Sequence, residues 1–530
     1  MLPCPAVAVR ARRRATRIKL TQFWGVDADP TAQGRIKGAR PVAVLDIGSN
    51  SVRLVVYERH ARALTPLYNE KSACALGRGI AQSKRLADAN MDKALEAMKR
   101  FALVARMMRV GKVYILATSA VRDAANRDEF VSAVEAIMEA PVRVLSGQEE
   151  AHYAALGVVA GIPGFAGVVG DLGGGSLELS DIANGHDTNG ESFELGVIRL
   201  QDDADGSPKK AATLVRERLA DSILQGDQAG AQFAAIGGTW RSLAKLHQAT
   251  CDYPLHMVQD YVVSADEMIR FCEEIVAADA LKGYPGASSV SNSRRELVPF
   301  GAAVLAEILK AGKFSNVVFS ALGVREGYLY GMLDQREQEI DPLIQGAEEL
   351  SVLRSRSPAH ANDLVEFTAQ YFAAVGAEET PEEARLRVVA CLLADIGWRS
   401  HPDYRGPQSV DSVAYGSLTG VDHPGRSFLA QTLAIRYDGL KSKAAQVLVP
   451  LGSDALTARA RLIGSMMRVA YPMTAAMPGV LPRTRFSLDD DTLVLNLPAD
   501  FAFLNGDHLR NRLRQFAEGA GHAKWRVDVG

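Results

Sequence analysis

Two short segments carry residue types suited to phosphate chemistry. Asp46-Ile47-Gly48-Ser49-Asn50-Ser51 and Asp171-Leu172-Gly173-Gly174-Gly175-Ser176 share one order: aspartate, apolar residue, glycine, two small residues, serine. Their aspartates lie 125 residues apart. Small residues let backbone N–H groups approach a ligand closely. Ser49, Ser51 and Ser176 add hydroxyls, and Asn50 and Gly175 keep the turns compact. An aspartate ending a buried strand beside such a turn is placed to hold a hydrated Mg²⁺. One copy reads equally well as an ordinary hairpin with Asp and Gly as turn formers. Two copies in the same order suit a clamp on a single phosphoryl group.

Other candidates surround these loops. Ser146-Gly147-Gln148-Glu149-Glu150-Ala151 places paired carboxylates at a strand-to-helix junction. Acids in a first helical turn complement the positive helix end; alternatively, one glutamate projects into a cleft and takes a proton from an attacking water. No Cys or His flanks the loops, which favours water over a protein nucleophile. Arg122, in Ala117-Thr118-Ser119-Ala120-Val121-Arg122, is either a surface residue or a fork-shaped phosphate ligand. Gly237-Gly238-Thr239 forms a third glycine cluster between a strand and a helix.

The elements positioning these residues are readable from periodicity. Val42-Ala43-Val44-Leu45 and Arg53-Leu54-Val55-Val56-Tyr57 flank the first loop as hairpin strands. Residues 91–110 and 127–139 have helical spacing, 113–117 and 142–145 read as strands, and 149–159 as a helix. The second loop sits in an equivalent strand–turn–strand unit, so the chain should contain two similar α/β halves. After about residue 332 the texture changes: 333–360 is charged and poor in strand formers, and from 361 to about 471 the pattern is helical, with helices expected at 364–372, 381–396, 428–436 and 455–470, closed by Pro472 and Pro478. The last 50 residues read strand, helix, strand.

The motif set resembles the exopolyphosphatase / guanosine pentaphosphate phosphohydrolase (Ppx/GppA) family, over roughly residues 41–335. The segments carrying the likeness are the two aspartate loops, the 117–122 and 146–151 segments and Gly237-Gly238-Thr239. The resemblance implies an α/β fold of two actin-like lobes (the sugar kinase/Hsp70/actin superfold), followed by a helical HD-like domain and a small α/β module. The corresponding division is a basic tail at 1–40, lobes at 41–165 and 166–335, the helical domain at 345–475 and the module at 480–530. It further implies Mg²⁺-assisted hydrolysis of terminal phosphate from inorganic polyphosphate, with Mn²⁺ and K⁺ as further candidate ions. Guanosine pentaphosphate is the alternative substrate.

By resemblance, Glu150 is the general base. Gly48, Ser49, Asn50, Ser51, Arg122, Gly173, Gly174, Gly175, Ser176, Gly238 and Thr239 bind phosphate, and Asp46, Asp171 and Glu178 lie at the metal. Arg199 is placed near the cleft. A homodimer and a cytoplasmic location are expected on the same ground. The HD-like stretch Cys391-Leu392-Leu393-Ala394-Asp395 has alanine where an HD enzyme needs histidine, and Arg436-Tyr437-Asp438 also lacks one. A structural or substrate-binding role is expected there. A kinase or ATPase of the same superfold would need an adenosine pocket around Gly237-Gly238-Thr239 and Gly323. Non-catalytic polyphosphate or RNA binding and HD-type hydrolysis complete the alternatives.

Composition sets outer bounds. A chain of 530 residues should form several domains. Its 47% hydrophobic and 23% charged content excludes wholesale disorder and a coiled-coil rod. No apolar run reaches the roughly 18–20 residues of a membrane span, so no membrane association is expected. Five scattered cysteines suggest neither a disulfide framework nor a zinc site. The 60 basic and 62 acidic residues nearly cancel. A polyanion substrate therefore requires a local basic path, for which Lys441/Lys443, Arg459/Arg461/Arg468, Arg483/Arg485 and Arg510/Arg512/Arg514 are candidates. The basic N-terminal residues 10–19 read as a solvated tail or a polyanion-touching arm.

Overall fold

The computed structural model describes residue 36 and residues 38–530, apart from 227, 229, 279 and 280. The basic segment 10–19 lies outside the described residues.

Apolar, β-branched runs broken by the first aspartate loop form a hairpin of β1 (Val42–Ile47) and β2 (Ser51–Tyr57), with Asp46 opposite Arg53. β3 (Pro66–Ala73) pairs antiparallel with β2 and brings Lys71 opposite Arg53. β4 (Lys112–Ala117) lies parallel to β1, and β5 (Val142–Val144) parallel to β4. The sheet order is β3-β2-β1-β4-β5.

The second half repeats this plan. β6 (Gly167–Leu172), β7 (Leu177–Ala183) and β8 (His186–Phe193) form a meander, and β9 (Gln232–Ile236) lies parallel beside β6. β10 (Tyr261–Ser264) is an added edge strand on β11 (Asn316–Phe319), which lies parallel to β9. The order β8-β7-β6-β9-β11 therefore matches that of the first sheet. The turns match as well: Gly48 N–H donates to Ser51 O at 3.1 Å, and Gly173 N–H to Ser176 O at 3.0 Å. This duplicated order gives the two similar halves expected from the repeated loops and the actin-like architecture that the resemblance implies.

Helices cover the sheets through apolar stripes. α1 (Asp88–Met107) and α2 (Arg127–Met138) place Met98, Phe101 and Phe130 against Leu45 and Leu54 of the first sheet. α3 (Gly147–Gly161) starts at a capping box in which Ser146 and Glu149 satisfy each other's backbone N–H groups. It packs Ala154, Ala155 and Val158 on the second sheet. α4 (Gly238–Thr250) and α5 (Val298–Gly312) also belong to that half; α5 is apolar nearly all round and correspondingly buried. α6 (Val324–Gly331) returns to the first half, where Leu329 joins Val42, Val44 and Leu116.

α3 and α6 cross at backbone contact. A Cβ on Gly327 would lie 1.8 Å from the Tyr153 carbonyl oxygen, and one on Gly157 would lie 2.4 Å from the Gly323 oxygen. Because α3 rests on one sheet and α6 on the other, this crossing joins the two halves.

The remaining chain forms α7 (Pro342–Arg354), α8 (Pro358–Val375), α9 (Pro381–Leu392), α10 (Arg405–Ala414), α11 (His423–Asp438) and α12 (Asp454–Thr474). A final sheet of β12 (Arg485–Asp489), β13 (Thr492–Leu497) and β14 (Lys524–Val529) carries α13 (Asp507–Gly519). One core runs through both parts, with Phe367 and Tyr371 packed on Phe486 and Phe516. Two local readings differ from expectation. α7 occupies charged sequence that showed no clear period. Pro472 lies inside α12, where burying Val469, Ala470 and Met473 outweighs one lost backbone bond in the last turn. Among the described residues, no helix is long and apolar enough to cross a membrane.

Candidate active site

The two aspartate loops meet between the halves. A Cβ on Gly174 would lie 3.1 Å from the Ser49 Cβ, and one on Gly175 would lie 2.8 Å from the Ser119 Oγ. A methyl group at either glycine would force the facing side chains of Ser49 or Ser119 to shift. Ser49 Oγ and Ser119 Oγ are 3.0 Å apart. The loops line a cavity of about 180 Å³. The sequence-derived residues Asp46, Gly48, Ser49, Asn50, Ser51, Glu150, Asp171, Gly173, Gly174, Gly238 and Thr239 all border it. The N-termini of α4 and α6 also open onto it, at Gly238 and Val324, each adding a positive helix end.

Strand register divides the cavity into two chemical sides. Residues paired across neighbouring strands share a face. In the first sheet the row is Asp46, Arg53, Lys71. In the second sheet the equivalent row is Asp171, Glu178, Ser192. One side is therefore cationic and the other acidic. Arg241, Arg294 and Arg325 complete the cationic lining. Arg325 pairs with Asp46 at 2.9 Å, and its neighbour Glu326 accepts from Tyr57 Oη at 2.6 Å.

Glu150 sits on the acidic side in the first turn of α3, 7% exposed. Burial pushes its carboxyl up to about 7; Arg122 opposes this, while the charges of Asp171 and Asp46 reinforce it. Its sequence neighbour Glu149 instead caps α3 and pairs with Arg143 at 2.7 Å, so the pair divides into one structural and one cavity-facing acid. Burial likewise pushes Asp171 up to about 6. Lys71 is pulled down to about 8 by burial and by the charges of Arg294, Arg53 and Arg241.

Four predicted residues stand behind the lining. Glu178 is 1% exposed, accepts from Ser192 Oγ at 2.9 Å, and is held well above the usual carboxylate range by burial and by Glu150. Ser176 is buried at the base of the second loop, and Gly175 faces a smaller adjoining cleft. Arg122 points at the glutamate and away from the cavity: its Nη1 donates to Glu150 Oε2 at 3.0 Å and to Leu145 O at 2.9 Å. Arg199 lies on the far side of the loops, paired with Asp123 and Glu194.

Sequence reasoning missed Arg53, Lys71, Arg241, Arg294 and Arg325 as lining residues. One signal was present. Arg53 follows Asp46 by the same seven positions that separate Glu178 from Asp171. Three members of the C-terminal basic clusters are already engaged by acids: Arg459 pairs with Glu379, Arg483 with Asp500, and Arg514 with Glu518.

For a divalent cation, Asp46 and Asp171 offer carboxylate oxygens in one polar cavity. That suits Mg²⁺, which takes one or two carboxylates and completes its shell with water and phosphate oxygens. Among the described residues, no group of three or more His, Cys, Asp or Glu side chains is gathered for a metal ion.

Residues 55–336 match the Ppx/GppA phosphatase family, and residues 343–526 match the exopolyphosphatase C-terminal domain. The chain belongs to the Ppx/GppA phosphatase family. As a member it is a phosphohydrolase acting on phosphoric anhydrides. One relative is the guanosine-5'-triphosphate,3'-diphosphate pyrophosphatase of Aeromonas hydrophila, 24% identical over 490 residues, with 88% of this chain and 95% of that protein covered. Another is exopolyphosphatase 1 of Mycobacterium tuberculosis, 28% identical over 309 residues, with 55% and 88% covered. A solved exopolyphosphatase from Cytophaga hutchinsonii aligns with TM-score 0.49 and 24% identity, covering 56% of this chain and 98% of that one. The Ppx/GppA lobes thus hold the cavity, and the C-terminal match spans the helical domain and the α/β module.

Proposed function

We propose that this phosphatase is an exopolyphosphatase that releases terminal phosphate from inorganic polyphosphate. The observation that carries the reading is the cationic lining and its continuation. Arg53, Arg241 and Arg325 border both the central cavity and a second one of about 330 Å³, which Glu326 also lines. A chain of phosphates can lie along such a path, with its end at Glu150.

In this reading the amides of the two loops hold the terminal phosphoryl group. Lys71, Arg53, Arg241, Arg294 and Arg325 neutralise its charge and that of the leaving chain. Glu150, poised near neutral pH, takes a proton from water as the water oxygen attacks phosphorus. The P–O bond to the chain breaks, giving orthophosphate and a polyphosphate one unit shorter. Arg122 orients the Glu150 carboxylate. Asp46 and Asp171 would hold Mg²⁺, which supplies further neutralisation of phosphate charge. Glu178 backs Glu150 from the acidic row. A homodimer is part of the same proposal.

Guanosine pentaphosphate is the second reading. It is favoured by Tyr57, Tyr330 and Tyr415 in the adjoining cavity, which could stack or border a base. Side-by-side kcat/KM values for long-chain polyphosphate and guanosine pentaphosphate, with Mg²⁺, decide between them. The expected result is a higher value for polyphosphate, falling steeply with salt because several charges meet the chain. A higher value for guanosine pentaphosphate would overturn the choice of substrate.

A further inference from the structure

The C-terminal half contains a second cationic cavity, of about 220 Å³, at the seam between the helical domain and the α/β module. It is bordered by Arg356, Arg405, Arg436, Arg468 and Arg512, which come from different elements: the α7–α8 connection, α10, α11, α12 and α13. No carboxylate borders it. Two acids stand near it: Asp438, whose charge reaches Arg468 and which accepts from Ser442 Oγ at 3.0 Å, and Asp395, which belongs to the stretch that resembles an HD metal site. Asp395 is already engaged: Arg356 grips it through Nε at 2.9 Å and Nη2 at 2.6 Å, and the Arg356 backbone N–H donates at 3.1 Å.

The other guanidinium groups are left without comparable partners. Arg436 is 7% exposed and makes no side-chain hydrogen bond among the described residues. Its nearest carboxylate oxygen, on Asp395, is 3.9 Å away. The group is held instead between the rings of Tyr471 and Tyr437, at 4.5 and 4.7 Å. Arg468 Nη1 leans on the carbonyls of Ile435, Arg436 and Tyr437, while its buried Nε has no partner. Arg405 donates only to Ser400 O, and Arg512 only to Gln515 at 3.4 Å. Among the described residues, none of Arg405, Arg468 and Arg512 has a carboxylate within ion-pair distance. Burial lowers Arg468 to about 10, so it remains charged at neutral pH.

Guanidinium groups converging on one cleft without carboxylate partners repel one another, and at the buried Arg436 water cannot screen the charge. A multiply charged oxyanion with acceptors in several directions offsets both costs, and the planar forks of arginine suit phosphate oxygens. We propose that this cavity binds a phosphate-type oxyanion outside the active site, with Arg436, Arg468, Arg405 and Arg512 as its ligands. The ligand pins α10, α11 and α12 to α13 of the terminal module. The site is too small for a folded chain segment and stands apart from the cavity at Glu150. The proposal does not depend on which substrate the active site takes.

Equilibrium dialysis of radiolabelled orthophosphate against the full chain tests it. At least one site per chain is expected in the wild type. Arg512→Gln and Arg468→Gln should each weaken that same site by about tenfold or more, as lost bonds to a charged ligand do, while any binding at the active site is unchanged. Arg512→Lys should restore part of the affinity. Arg512 is partly exposed on α13, so its variants give a readout even if Arg468→Gln fails to fold. Tripolyphosphate added to the Glu150→Gln protein separates the two sources of the ligand. Displacement of label from the Arg512-dependent site marks a chain end as the occupant; retention of label marks free orthophosphate. No orthophosphate binding in the wild type, or binding unaffected by Arg512→Gln, would overturn the proposal.

Discussion

Glu150→Gln should lower phosphate release by about 10²–10⁴-fold, the usual contribution of a general base, with little change in KM. The amide keeps the size of the side chain and still accepts from Arg122 but cannot take a proton. In the wild type, kcat/KM should follow a bell-shaped pH profile. Its acid limb follows Glu150, which must be ionised and which burial pushes up to about 7. Its alkaline limb follows Lys71, which burial and its arginine neighbours pull down to about 8. Arg122→Ala should move the acid limb upward, because the guanidinium stabilises the ionised carboxylate. Activity in Glu150→Gln within a few-fold of wild type would remove Glu150 from the mechanism. An acid limb unmoved in Arg122→Ala would remove only its partner.

The second large effect is structural. Gly327→Ala places a methyl group against the backbone of α3, 1.8 Å from the Tyr153 oxygen and 2.5 Å from the Gly157 nitrogen. Backbone cannot swing aside as a side-chain tip can. The cost belongs at the upper end of overpacking, about 3 kcal/mol. Because this crossing sets the spacing of the two loops, kcat should fall together with the melting temperature. Gly331→Ala on the same helix is the control, since its methyl group meets the end of the Leu156 side chain and should be tolerated better. Equal melting temperatures for Gly327→Ala and wild type would show that the helices separate at no cost.

The hairpins and the duplicated halves were legible because each is local, whereas the choice of Glu150 over Glu149 came only with the family resemblance. A strand, a glycine turn and a strand lie within about 20 residues, and their repetition exposes the plan. The cationic lining was not legible in the same way. Arg53 and Lys71 meet only once β3 pairs with β2, and Arg241, Arg294 and Arg325 arrive from three further elements. No spacing along the chain encodes that convergence. Arg122 fits its motif, but only the folded chain shows that it faces Glu150. In the C-terminal half the arginine clusters showed their charge but not their partners. Arg459 is neutralised by Glu379, 80 positions away, whereas Arg468 finds no acid within ion-pair distance. Helix α7 was hidden because its buried face is short and its pattern is diluted by charge.

The buried acidic row also links folding to protons. Glu178 and Glu150 both hold their protons more tightly when folded than the unfolded chain would. Their stabilising contribution is complete below the ordinary carboxylate range, near pH 4, and is lost as pH rises through about 7 for Glu150 and through the raised range of Glu178. The pH that arms the base therefore also loosens the fold that holds it. Phosphate and cations entering the cavity would restore the balance, coupling substrate occupancy to thermal stability. Glu178→Gln, neutral at every pH, should melt above wild type at pH 8 and no higher at pH 4. Coincident melting curves at both pH values would show that the row carries no such linkage.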